Sequence, residues 1–297
     1  MGQTILVTGA TGNVGAEVVR LLQHTGHPFR VAVRNVDAAR AGLGVATDYV
    51  RFDFTDPTTF ADALRDVGQL FLVRPPAISQ VKRFIYPVID AARAAGVDAI
   101  VFLSIQAAER NPFVPHRKIE TYIQASGIPY TFLRASFFMQ NLNTVHRQDI
   151  QQHREIFLPA GIGKTSFIDV RDIAAVATIA LLSREHRNQA YELTGSQALD
   201  YYQVADIFTE VLGTRIVYPN PSILAFARRM VARGLPPGFI LVMIGIYTVV
   251  RLGLAGRVAP DTALVLGRAP RTMRQYVEDY QECWRSPGAE PVVRDQA

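Results

Sequence analysis

Residues Thr4 to Gly15 read TILVTGATGNVG, and no other stretch so restricts the folds open to this chain. Ile5, Leu6 and Val7 form a short apolar run of the kind that makes a buried strand, and a glycine turn follows at once. Beyond the turn, Val14, Val18, Leu21 and Leu22 recur at helical spacing. In a strand, turn and helix of this order, Gly9 permits the tight turn, Gly12 lets backbone approach a pyrophosphate, and Gly15 lets the helix pack close to the strand. The unpaired amides at the helix N-terminus then face the phosphates. The spacing is G-x-x-G-x-x-G, not the commoner G-x-G-x-x-G. Gly9, Ala10, Thr11, Gly12, Asn13, Val14 and Gly15 are therefore the expected nucleotide-binding segment.

The rhythm that follows extends this unit. Apolar runs at Phe29 to Val33, Tyr49 to Phe52, Gln69 to Val73, Ala99 to Leu103 and Tyr130 to Leu133 read as strands. Helices are expected between them: over Ala38 to Leu43, capped by Asp37; after Asp56-Pro57; over Ile78 to Ala95; and up to Ser126, closed by Gly127. Each crossover is long enough for a right-handed connection between parallel strands, which makes an α/β fold with a Rossmann-type doubly wound sheet. From Arg134 the pattern loosens. A helix is expected to begin at Phe137, Phe138, Met139 and Leu142, with short strands at Ile156 to Pro159 and Ser166 to Val170. Then come an alanine-rich helix ending near Leu182, a strand at Tyr191 to Thr194, a helix over Tyr201 to Leu212, and a mostly helical stretch from Pro221 to Arg251. The expected division is a nucleotide-binding domain over 1–155, a smaller, mostly helical substrate or lid region over 156–285 interleaved with it, and a loose tail over 286–297. The longest apolar run, Phe239 to Val250, falls short of the ~20 residues that span a bilayer and is expected to be a buried helix.

Composition narrows the function. The net charge of +5 comes from scattered basic residues with no aromatic-interleaved basic run, so a modestly basic surface is expected and no nucleic-acid partner. Cys283 is the one cysteine, which rules out an internal disulfide framework and suits a reducing cytoplasm, as does an N-terminus without a secretory leader. The histidines show no close ligand spacing, so no metal is expected. No G-x-S-x-G elbow supports a hydrolase, and Gly161 to Thr165 lacks the full phosphate-loop pattern and reads as a hairpin turn.

In a doubly wound sheet ligands bind beyond the carboxyl ends of the strands. Arg34, nineteen residues after Gly15, ends the second strand where an acid would bind the ribose hydroxyl of NAD; an arginine there accommodates the 2′-phosphate of NADP, so NADP(H) is preferred over NAD(H). The competing reading is a solvated strand end. Asp53 and Phe54 are placed to border the adenine, and Val73, Arg74, Pro75, Ser104 and Gln106 lie towards the cofactor.

The glycine turn, Arg34, the stop LVRPP, Ser104 and GIPYTFLR occur in an order that resembles the NmrA-like group of atypical short-chain dehydrogenases/reductases. FLRASFFMQN (Phe132 to Asn141), FIDVRDIA (Phe167 to Ala174) and YELTG (Tyr191 to Gly195) strengthen the resemblance, which runs from Thr4 to about Leu212. It implies NADP(H) in a Rossmann domain, with a substrate held over the nicotinamide by the C-terminal part. The family includes reductases of quinones and enone-like compounds, and redox sensors that bind the nucleotide without turning it over.

One departure bears on chemistry. Reductases of the wider superfamily carry Tyr-x-x-x-Lys; here the lysine's place falls on His116 and the tyrosine's on Pro112, with Lys118 displaced by two residues. Glu120 lies on the same helix side as His116, so either an orienting contact between them or an exposed ion pair is expected. Three uses of His116 remain open: proton donor, with an ordinary pKa of ~6.5; contact to ribose or substrate; or structure. Ser104 is a catalytic or ribose-binding hydroxyl, or a buried serine satisfied by backbone. Gln106, Phe138 and Asn141 are the candidate substrate residues. The leading expectation is an NADPH-dependent oxidoreductase acting on a quinone, enone or similar flat electrophile, which can take its proton from water. The alternative is an NADP(H)-binding redox sensor, and a third reading, an extended-type enzyme acting on a biosynthetic ketone, is disfavoured by the missing tyrosine. The expected partner is a small molecule, with a homodimer left open.

Overall fold

The computed structural model describes residues 4–45 and 47–285; the tail expected over 286–297 lies outside them. In chain order the elements are β1 (Thr4–Val7), α1 (Asn13–Leu22), β2 (Phe29–Val33), α2 (Val36–Leu43), β3 (Asp48–Arg51), α3 (Phe60–Leu64), β4 (Val67–Leu72), α4 (Val81–Phe84), α5 (Tyr86–Ala94), β5 (Ala99–Ile105), α6 (Pro115–Ser126) and β6 (Tyr130–Ala135). There follow α7 (Val170–Leu182), β7 (Gln189–Leu193), α8 (Tyr201–Leu212), α9 (Ile223–Ala232), α10 (Pro237–Arg251), α11 (Asp261–Leu266) and α12 (Met273–Tyr280).

The chain forms two compact units. The first runs through Ala135 and takes in Val170–Leu193 and Pro260–Ala269; the second holds Ser136–Asp169, Thr194–Ala259 and the chain from Pro270. Thus the first unit recovers α7, β7 and α11 from the later half of the sequence.

In the first unit seven strands make one parallel sheet in the order β3-β2-β1-β4-β5-β6-β7. The order reverses between β1 and β4, and a crevice at such a switch point is where α/β sheets bind ligands. Helices cover both sides, so β5 is buried from Ala99 to Ser104, as parallel strands are. Leu6, Leu70, Ile100, Phe102 and Phe132 pack with Ala63, Ile89 and Ile123 into one core. α7 carries Ala174, Ala177 and Ala180 among its buried residues, small enough for α1 to lie close against it.

The second unit has its own core, in which Phe208, Phe226, Tyr247, Tyr276 and Trp284 are buried. α8 begins on a capping box between Asp200 and Gln203, and α12 on another between Thr272 and Gln275.

Local departures from expectation have local causes. Asn35, not Asp37, caps α2, because its side chain accepts from the Ala38 amide. The helix expected over Ile78 to Ala95 is two, broken at Ile85, since Pro87 has no N–H to offer a preceding carbonyl. Phe137 to Leu142 makes only a short 3-10 turn at Met139–Asn141. The two short strands expected after it are extended segments held by isolated bridges, Glu155 to Val217 and Phe138 to Ile168. The expected burial of Phe239 to Val250 is corrected: Ile240, Met243, Tyr247 and Val250 are buried, while Leu241 is 68% and Val242 57% exposed. α10 therefore turns one apolar stripe inward and leaves another uncovered.

Candidate nucleotide and substrate site

The glycine turn leaves β1 beside the end of β4. Thr8 ties the two strands, its hydroxyl donating to the Phe71 carbonyl and accepting from the Val73 amide, both at 2.9 Å. Gly9 then takes a left-handed φ of +66°, and a Cβ on it would come within 2.9 Å of the Val73 side chain. The Gly12 amide closes the turn onto the Gly9 carbonyl at 2.9 Å. A Cβ on Gly15 would lie 2.2 Å from that same carbonyl oxygen, so α1 reaches its place only because Gly15 has no side chain. Gly12 stands at the N-cap of α1 with no side-chain cap and no acid in the first turn. The first amides of α1 are therefore left for an external acceptor. Ala10 and Val14 are buried and offer such an acceptor only backbone, whereas Thr11, Gly12 and Asn13 are exposed. A nucleotide diphosphate fits this cradle: backbone donors, room where a Cβ would intrude, and no competing carboxylate.

Arg34 follows β2 and is exposed. Its charge acts on Asp53, whose carboxyl is held below its usual range first by the Thr55 amide and then by the Thr55 hydroxyl. Both donors lie 2.8 Å from Asp53 Oδ1, so Asp53 shapes its own loop. Phe54, expected beside the adenine, instead enters the core edge-on to Phe52 at 4.9 Å and offers no side chain to a ligand.

After β4, Val73 and Pro75 flank Arg74, whose Nη1 donates to the carbonyls of Pro75, Pro76 and Ile78 at 3.0, 3.2 and 2.7 Å. Its Nε is buried without a partner, and so is Nδ1 of His116 in the first turn of α6. Burial, with the charge of Arg74, pushes His116 down to about 3, so at neutral pH the ring is uncharged. This corrects the expectation of a group titrating near 6.5. Two orphaned polar atoms beside the switch point give a polar ligand partners in a water-poor place.

Ser104 is 2% exposed and donates to Glu120 Oε1 at 2.7 Å. Its hydroxyl is thus held by a carboxylate of the chain and not by backbone. Glu120, fully buried, receives Arg134 in a two-pronged pair, Nε to Oε1 at 3.0 Å and Nη2 to Oε2 at 2.9 Å, so it does not orient His116. Such a pair is costly to break because either partner would be stranded in the interior. Its one sequence signal is a charged residue near the end of the mostly apolar strand β6. Gln106 follows β5, its amide donating to the Ala135 carbonyl at 2.9 Å.

Phe138 and Asn141 belong to the second unit, half-buried, with the Asn141 amide 3.2 Å from the Phe138 carbonyl. Two motifs far apart in sequence meet here. The Met139 amide donates to the Ile168 carbonyl and the Ile168 amide to that of Phe137, at 2.9 and 2.8 Å. Gln140, 3% exposed, adds a bond from Nε2 to Asp169 Oδ1 at 2.9 Å. Phe137 packs on Phe167 and Tyr247 in the core, leaving Phe138 as the aromatic outside that cluster.

Residues 1–251 match the NmrA-like family. The chain belongs to the NmrA-like family. This NmrA-like protein is 35% identical over 278 residues to an NAD(P)H azoreductase of Xenophilus azovorans, covering 92% of this chain and 96% of the relative. It is 30% identical to quinone oxidoreductase 2 of Escherichia coli over 79% of this chain and 83% of that one. Among solved structures, the NADPH complex of the NADPH-dependent quinone oxidoreductase of Escherichia coli superposes with a TM-score of 0.83 at 27% identity, covering 94% of this chain and 99% of that one.

Proposed function

We propose that this NAD(P)H-dependent oxidoreductase takes NADPH and reduces a quinone, an enone or a similarly flat electrophile. The observation that carries the reading is the state of His116. It stands where the superfamily's lysine would follow a proton-donating tyrosine, and burial with Arg74 holds it at about 3. An uncharged imidazole donates a hydrogen bond but is a poor acid at neutral pH. That is enough for a substrate whose reduced anion is delocalised and can take its proton from water; it is too little for an isolated ketone. The names of the azoreductase and the quinone oxidoreductase support the same class, since both substrate types are flat and conjugated.

Bound nicotinamide supplies the hydride. The chain's own contribution is to bind and orient. Backbone of Gly9 to Gly15 takes the pyrophosphate, and Arg34 takes the 2′-phosphate, which supports NADP(H) over NAD(H). His116 and Arg74 present polar atoms at the switch point, Gln106, Phe138 and Asn141 are assigned to the substrate, and a reducing cytoplasm is the compartment. Ser104 is assigned to holding Glu120.

The test mixes the protein with NADPH and a panel of quinones, enones and azo compounds and follows loss of nicotinamide absorbance. Turnover of at least one conjugated acceptor is expected. Tight NADPH binding without turnover across the panel refutes the reductase and leaves the nucleotide sensor.

A further inference from the structure

Ten of the eighteen large apolar side chains exposed among the described residues fall between Ile223 and Leu254. They lie on α9, on α10 and just after it. Leu224 and Val231 are 60% and 61% exposed, Leu241 and Val242 are 68% and 57%, and Leu252 and Leu254 are 67% and 69%. Phe226 meets Tyr247 edge-on at 5.7 Å, which joins the inward stripes of the two helices in the core and leaves the other apolar side of each uncovered. Single exposed leucines are ordinary, but an apolar group of this density marks a surface that is covered in use.

Charge says what covers it. From Val211 to Pro260 the sequence has six arginines, Arg215, Arg228, Arg229, Arg233, Arg251 and Arg257, and not one aspartate, glutamate or lysine. The remainder of the chain carries all 26 acidic residues. Arg229 pairs with Glu155 at 2.7 Å and with Asp149 at 3.5 Å, and Arg233 with Asp149 at 2.7 Å, which anchors α9 to its own unit. Arg228 and Arg251 are exposed. A leucine- and valine-rich stretch that carries arginines and no acids of its own is what lies in the interface of an anionic bilayer. A second copy of the chain fits worse, because a two-fold contact uses the same patch on both sides and this stretch holds arginines with no carboxylate of its own to pair them. Nor does α10 cross the membrane: its 15 residues reach about 22 Å, short of a hydrocarbon core of about 30 Å.

We propose that α9, α10 and the turn after α10 form a monotopic docking face for an anionic lipid surface, with the apolar side chains entering the headgroup boundary and Arg228 and Arg251 meeting lipid phosphates. The inference stands apart from the proposed reaction, since it uses none of the nucleotide-site residues.

Flotation of the full chain with vesicles tests it, comparing pure phosphatidylcholine with phosphatidylcholine mixed with phosphatidylglycerol. Binding is expected to the mixed vesicles, weakening as salt is raised. The pair Arg228→Gln and Arg251→Gln should reduce it about thirtyfold, at about a kilocalorie per arginine near the surface. The pair Leu241→Glu and Leu252→Glu should reduce it more than tenfold while NADPH affinity and the thermal midpoint stay unchanged. The proposal is overturned by no binding to mixed vesicles at low salt, or by equal binding to both vesicle types. It is equally overturned if vesicles are ignored and sedimentation shows a dimer that Leu241→Glu dissociates, which would assign the face to a second copy.

Discussion

The carbonyl oxygen of Gly9 lies 2.2 Å from the point a Cβ on Gly15 would occupy. The contact is backbone to backbone, so no side chain can swing aside to relieve it. Gly15→Ala should push α1 off the turn, costing about 1–3 kcal/mol, as overpacking does, and disturbing the amides that face the phosphates. A lowered thermal midpoint together with NADPH binding weakened at least tenfold is the expected result. Unchanged binding in an NADPH titration would show that the cradle does not hold the nucleotide.

Arg34 is exposed at the end of β2. NADPH alone offers it a phosphate, and a charge-assisted hydrogen bond is worth roughly 1.5–3 kcal/mol. Arg34→Ala should therefore weaken NADPH roughly tenfold to a hundredfold and leave NADH nearly unaffected. Titration with both nucleotides decides it, and equal losses would reject Arg34 as the source of preference.

His116, pushed down to about 3, stays uncharged throughout the neutral range. The rate profile of the parent enzyme should then show no break near 6.5 attributable to this residue. His116→Ala should lower kcat about tenfold, the scale of one hydrogen bond, with little change in NADPH affinity. A break near 6.5 that vanishes in the variant would restore the imidazolium as proton donor.

His146 lies 1% exposed in the second unit, its Nε2 2.5 Å from the Tyr247 hydroxyl. Burial, with the charge of Arg233, lowers it from 6.5 to about 3. The unfolded chain thus takes up a proton here across a window in which the folded protein does not. Stability is full above about 6.5 and is lost as pH falls towards 3, by up to about 1.4 kcal/mol per pH unit. Urea unfolding of the parent and of His146→Phe at several pH values checks this. The variant, lacking the titrating ring, should show the shallower loss on the acid side; parallel curves would exclude His146 as a source of acid lability.

Much of the fold was readable because its cues are local. β2 runs from Phe29 to Val33 and α8 from Tyr201 to Leu212, where apolar spacing put them. The turn from Gly9 to Gly15 was equally plain, since each glycine answers a backbone requirement a few residues away. The site was legible only in part. Ser104 was recognised as a polar strand end, but its partner Glu120 is 16 residues away on another element. Phe54 sat in a loop by sequence and in the core by packing. On α10 nearly every residue is apolar, so periodicity could not tell the covered stripe from the open one.

Spacing along the chain dictated that a strand, a glycine turn and a helix would build a dinucleotide cradle; the resemblance to the superfamily, laid on the residues before Gly127, marked its tyrosine as missing. These follow from residue type and from backbone geometry over less than a helical turn or two. Tertiary structure alone decided that His116 is uncharged, that Arg134 holds Glu120, and that the outer side of α10 stays open to solvent. Burial sets all three, and burial is made by side chains that arrive from distant parts of the sequence.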